Sequence, residues 1–146
     1  MRYLIDTNVV SEWSKVQPKT EIVEWLQRQP PPDLAVSAMT LAEVHYGIEI
    51  LPPGRKANLL WRWYHGEFIR LIEDRVVPLD DAVALHWSSL RARSRRAGRT
   101  LPFADSSILS TAVVHGLVVV TRNVKDFSGL GAVVLNPWDE MVPPVD

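Results

Sequence analysis

The chain has 146 residues, a formal net charge of −1, 47% hydrophobic and 23% charged side chains, and no cysteine. This length fits one domain, residues 1–146, with a core of its own; the absent thiols exclude disulfides, cysteine–zinc sites and a thiol nucleophile, and the balanced charge excludes a globally basic nucleic-acid binder. Arg2 precedes only three apolar residues, too few for a signal peptide, and the apolar stretch Ile108 to Val120, interrupted by Ser110, Thr111 and His115, is shorter than the ~20 residues of a membrane span, so a cytoplasmic protein without membrane contact is expected.

Leu4-Ile5 predicts a short central strand, apolar on both faces as parallel strands are, and Asn8 to Lys15 a short helix. Glu21 to Gln29 is amphipathic, and Pro30-Pro31-Pro32 stops it. Leu34 to Ser37 predicts a second strand, and Thr40 to Leu51 a helix ended by Pro52-Pro53-Gly54. Lys56 to Arg75 predicts a long helix rich in aromatic residues, with Gly66 inside it. Val76 to Leu79 predicts a brief extended piece, Asp80 to Ala97 a helix followed by Gly98, and Pro102 to His115 a helix opened by proline and closed by Gly116. Leu117 to Thr121 is the clearest strand; a helical turn at Asn123 to Gly129 and a strand at Ala132 to Leu135 follow. The tail Val142 to Asp146 is expected on the surface. Strands alternating with helices predict an α/β fold with a mainly parallel sheet and helices on both faces.

In such sheets chemistry collects at the carboxyl ends of the strands. Asp6 follows the first strand, Glu43 lies early in the helix after the second, Asp105 lies in the first turn of its helix, and Asn123 and Asp126 follow the strand LVVVT. Clustered carboxylates repel and raise one another's pKa values. A hard divalent cation, Mg²⁺ or Mn²⁺, relieves this and supports phosphodiester hydrolysis. Each acid also has a plainer reading. Asp6 suits a helix N-cap, Thr40-Leu-Ala-Glu43 matches a capping box, Asp105 complements a helix dipole, and Asp126 caps or faces solvent.

The segments LIDTNVVSE (4–12), VSAMTLAEVHYGI (36–48), LPFADSSILSTAVVHGL (101–117), VVVTRNVKDFSGL (118–130) and VVLNPW (133–138) stand in one order and at separations that resemble a PIN-domain ribonuclease of the VapC/FitB toxin type. The resemblance implies a PIN-like three-layer fold and a Mg²⁺- or Mn²⁺-dependent endoribonuclease. It also implies a homodimer that joins a small VapB/FitA-type antitoxin in a larger assembly. DNA would be met only through that antitoxin, whose C-terminal segment blocks the active site. The family's first three acids fall on Asp6, Glu43 and Asp105. Many relatives carry a fourth acid in T-x-D; here that position is Asn123, and the next acid is Asp126, ranked below the first three as a metal ligand. Asp6 and Asp105 are then the main metal ligands, with Glu43 orienting or deprotonating the attacking water or reaching the metal through water. Thr7, Asn8, Thr121 and Asn123 tie the acids in place. Two rival readings stand beside this one: a weakly active or inactive PIN-domain binding subunit of a DNA-associated complex, and a PIN nuclease outside toxin systems.

Arg91, Arg93, Arg95, Arg96 and Arg99 fall within nine residues. They are either a solvated helix face or a track for RNA phosphates, with Arg93 and Arg96 the candidate contacts. Arg122 suits a phosphate contact or a pair with Asp126. Among the six tryptophans, helical spacing puts Trp61 with Tyr64, His65 and Phe68 on one side and turns Trp63 away. This face is expected to pack in the core or against a partner such as the antitoxin. The four histidines show no ligand spacing and are expected to be structural.

Overall fold

A computed structural model describes residues 1–139; the expectation for the tail at 142–146 lies outside the described residues. Five parallel strands form the sheet: β1 (Tyr3–Ile5), β2 (Leu34–Ser37), β3 (Val76–Val77), β4 (Val118–Val120) and β5 (Val134–Leu135), in the spatial order β3-β2-β1-β4-β5. β1 pairs with β2 through Tyr3↔Leu34 and with β4 through Ile5↔Val120. The chain runs outward from β1 to β3, then returns to the other side of β1 for β4 and β5. The order therefore reverses between β1 and β4, and the crevice at the carboxyl ends of those two strands is where open α/β sheets bind ligands.

Alternation along each strand splits the core in two. Tyr3, Ile5, Leu34, Val36 and Val120 face one layer, with Val9, Ile22, Trp25, Val44 and Phe68 from the helices. Leu4, Ala35 and Val119 face the other, with Leu90, Ile108, Leu109 and Phe127. The helices are α1 (Thr7–Trp13), α2 (Thr20–Arg28), α3 (Ala38–Glu49), α4 (Arg55–Trp63), α5 (Ile69–Ile72), α6 (Asp81–Arg96), α7 (Phe103–His115) and α8 (Val124–Phe127). The α/β architecture with helices on both faces is as expected.

Two local features differ from the sequence reading. The predicted helix over 56–75 is interrupted by a π-helical turn, Tyr64–Phe68, between α4 and α5. The wide turn brings residues five apart together, so Trp63 is not turned away. It is buried and stacks on Phe68, with ring centroids 5.4 Å apart and planes at 10°. Trp13 meets Trp63 edge-on at 5.3 Å. The aromatic side chains Trp63, Tyr64 and Phe68 thus belong to this chain's own core. Second, Thr40 does not cap α3. Ser37 does, its Oγ accepting the Thr40 backbone N–H at 3.0 Å, which leaves Glu43 free of the capping box.

Candidate active site

Asp6 is the residue between β1 and α1. Its backbone N–H continues the sheet to the Val120 carbonyl at 2.9 Å, and its side chain caps α1 by accepting the Thr7 N–H on Oδ1 at 2.7 Å. The cap reading is therefore correct but incomplete, because Oδ2 accepts the Thr121 hydroxyl at 2.7 Å. Thr121, fully buried just past β4, is the hub of the switch point. Its oxygen also accepts the Asn8 amide at 3.1 Å and the Asn123 backbone N–H at 3.0 Å. With both lone pairs filled, the hydroxyl proton points at Asp6. Asn8 Oδ1 in turn accepts the Arg122 backbone N–H at 3.3 Å. Five residues from α1 and the end of β4 thus lock one carboxylate in place.

Glu43 reaches the same crevice from α3, where its Oε1 accepts the Thr7 hydroxyl at 2.7 Å. Asp105 arrives from the first turn of α7, with no hydrogen-bond donor on its carboxylate among the described residues. Asp6, Glu43 and Asp105 line one cavity of about 370 Å³, together with Thr7, Asn8, Ser11, Glu12, Lys15, Arg122, Asn123 and Trp138. Burial pushes Asp6 up to about 6; the Thr121 and Thr7 hydrogen bonds oppose this, and the charges of Asp105 and Glu43 add to it. Asp105 is also raised, by burial first and then by the charges of Asp126 and Glu43.

These donors suit a hard cation. Each Asp6 oxygen holds one donor and keeps a free lone pair, the Asp105 carboxylate is unclaimed, and burial with like-charge repulsion calls for a positive charge. Among the described residues no three acids converge closely enough to enclose an ion by themselves. The set fits an ion held by one or two carboxylates with water completing its shell, as Mg²⁺ prefers.

Other sequence candidates sit elsewhere. Asp126, exposed on α8, shares a smaller neighbouring cavity with Asp105 and Arg99 rather than the main one. Arg122 does not pair with it; the guanidinium lies over the Trp138 ring, 5.3 Å from its centre. Arg93 and Arg96 stand exposed on α6, outside the cavity, where Arg93 bonds the Ser89 carbonyl at 3.4 Å. Arg91 lies over Trp87 at 5.0 Å, and Arg99 donates to the Asp126 carbonyl at 3.1 Å. Sequence reasoning missed Ser11, Glu12, Lys15 and Trp138 as lining residues. The first three continue the Thr7–Asn8 face of α1 in steps of three and four, a signal present in the sequence.

The profile of the PIN domain family matches residues 3–131, which covers the strand-order reversal and the acids that three separate segments bring to its mouth. VapC ribonuclease Y4jK of Sinorhizobium fredii is 32% identical over 93% of this chain and 97% of its own. Toxin FitB of Neisseria gonorrhoeae is 34% identical over 94% and 99%. The crystal structure of FitAcB from Neisseria gonorrhoeae superposes with a TM-score of 0.86 at 34% identity, covering 94% of this chain and 99% of that one. The chain belongs to the PIN-domain family, among its VapC/FitB-type members.

Proposed function

We propose that this protein is the toxin of a type II toxin–antitoxin pair and acts as a Mg²⁺- or Mn²⁺-dependent endoribonuclease. The observation that carries this is Asp6: a buried carboxylate fixed at the sheet's switch point by Thr7 and Thr121, with Glu43 and Asp105 in the same cavity. Asp6 and Asp105 would hold the metal, with Asp126, beside Asp105, as a weaker candidate ligand. A divalent cation in this cavity supplies Lewis acidity and a template for phosphate oxygens. Glu43, its carboxylate fixed by Thr7, orients or deprotonates the attacking water. The P–O3′ bond breaks, leaving a 3′-hydroxyl and a 5′-phosphate. Arg122 lies on the cavity wall, where it neutralises phosphate charge. Arg93 and Arg96 reach only flanking phosphates from α6.

The partner reading rests on the relatives. The similar chains occur in FitAcB, in FitAB bound to an IR36 DNA fragment, and in DNA-bound VapBC from Salmonella typhimurium. For this chain we infer a homodimer silenced by a VapB/FitA-type antitoxin whose C-terminal segment enters the cavity, with DNA met through the antitoxin. Among the described residues no helix is long and apolar enough to cross a membrane.

The test is cleavage of labelled RNA by antitoxin-free protein with Mn²⁺, Mg²⁺ or EDTA, beside Asp6→Asn. Metal-dependent cutting that disappears in the variant is expected. Asn123, in the cavity but without charge, favours the second reading of a weakly active binding subunit. A folded wild-type protein that cuts under none of these conditions and still binds a partner would favour it over the nuclease.

A further inference from the structure

We propose that Lys15 is a phosphate-binding residue of the RNA site and that the buried Glu12 is its positioning residue. This rests on the ribonuclease reading above. Thr7, Asn8, Ser11, Glu12 and Lys15 all line the cavity that holds Asp6, Glu43 and Asp105. They form one stripe along α1, from its acid-bearing start to the residues just past its end. The stripe begins with groups that fix the acids and ends with a cation.

Glu12 is 6% exposed. A carboxylate taken out of water is costly unless it is paired. Among the described residues its one ion-pair partner is Lys15, with Nζ 2.5 Å from Oε2. Among the described residues Oε2 has no hydrogen-bond partner, so charge holds the pair. The lysine side chain is 63% exposed while that of Glu12 is 7% exposed. A half-solvated pair of this kind repays little of the desolvation of its buried member, so stability gives a poor reason for it. It does have one mechanical effect. A long, rotamer-rich side chain is anchored at its charged end, with most of its surface still open to solvent.

The location gives that effect a use. Three carboxylates repel an approaching phosphodiester, so an RNA strand needs cations along its way in. Arg122 supplies one from the loop after β4, and Lys15 supplies a second from the end of α1. An ammonium acts on phosphate as a point charge with three donors. Lys15 also borders the adjoining apolar groove lined by Trp13, Val23, Leu60 and Trp63. It therefore sits at the seam where a strand leaves the acids, and the phosphate it meets is one adjacent to the scissile one.

The experiment uses the full chain and a labelled single-stranded RNA that the wild type cuts. Binding is measured with Ca²⁺ across a salt series, and steady-state cleavage with Mn²⁺. Lys15→Gln should weaken binding about tenfold at low salt and reduce the slope of log Kd against log salt by about 0.7. The loss should sit in KM more than in kcat, and Lys15→Arg should restore most of it. Glu12→Gln should also weaken binding, and the double variant should bind no worse than Lys15→Gln alone, because Glu12 acts through the lysine. Wild-type Kd and slope in Lys15→Gln, from a protein that still cuts, would overturn the proposal and leave Lys15 to the helix end and the apolar groove. So would a Glu12→Gln penalty that adds in full to that of Lys15→Gln. A wild type that neither binds nor cuts RNA overturns the ribonuclease reading itself.

Discussion

At Asp6, two hydrogen bonds meet one charge. Both oxygens accept, from Thr7 and from Thr121, so the pocket is shaped for a carboxylate; an asparagine there satisfies one donor and faces the other with an amide. Yet burial and the neighbouring acids raise the group from its ordinary 3.8 to about 6. The folded state thus binds this proton more tightly than the unfolded chain does. The contribution of this group to stability is then greatest below pH 4, falls as the pH rises towards 6, and levels off above. The shift corresponds to about 3 kcal/mol. Urea denaturation of metal-free protein should show that decline, and Asp6→Asn should flatten most of it while abolishing cleavage. Asp105 is raised in the same sense and adds to the slope. A flat wild-type profile would mean that Asp6 is solvated or already paired.

At the scale of elements, the interrupted helix between Arg55 and Ile72 shows how packing overrides local preference. Spacing alone placed Trp63 on the wrong side, because a π turn is written in no single residue; it follows from what Trp13, Trp63 and Phe68 gain by meeting. Gly66 is exposed within that turn, with nothing within 4 Å of an added Cβ. Gly66→Ala should therefore stabilise the protein by about 0.5–1 kcal/mol in urea melts; destabilisation would mean that the turn needs glycine's freedom. On α6, Asp80 accepts the Val83 N–H at 3.0 Å, and Asp80→Ala should cost about 1 kcal/mol without touching RNA cleavage. Removing charge from Arg93 and Arg96 tests their contact with flanking phosphates. A flatter salt dependence of RNA binding is the expected result, and an unchanged one returns both to a solvated helix face.

Across the whole molecule, the sequence carried the strands more plainly than the site. The run Leu117 to Thr121 is β-branched and apolar and the run Leu34 to Ser37 mainly apolar, and they became β4 and β2 nearly as read. The acids were legible as residues at strand ends and in first helical turns. Their convergence was not, since no local pattern reports that β4 returns to the side of β1. The same limit explains Glu43. Its T-x-x-E spacing reads as a cap, and only the tertiary contact with Thr7 gives it another task. Metal linkage tests the assembled cavity as a unit. Mn²⁺ should raise the melting temperature of the wild type at neutral pH, and Asp105→Asn should remove most of that rise while the protein stays folded. An equal rise in both proteins would place metal binding elsewhere.

The bond from Thr121 to Asp6 joins residues 115 positions apart in the chain, and β1 and β4 pair beside it. A ribosome delivers the two ends of this contact at different times. Asp6 emerges first, and a growing chain that has not reached Thr121 has neither the fourth strand nor the hydroxyl that aims the carboxylate. Truncated translation products therefore carry the acids without the means to hold them. The site around Asp6 is complete only after β4 and Thr121 have been made.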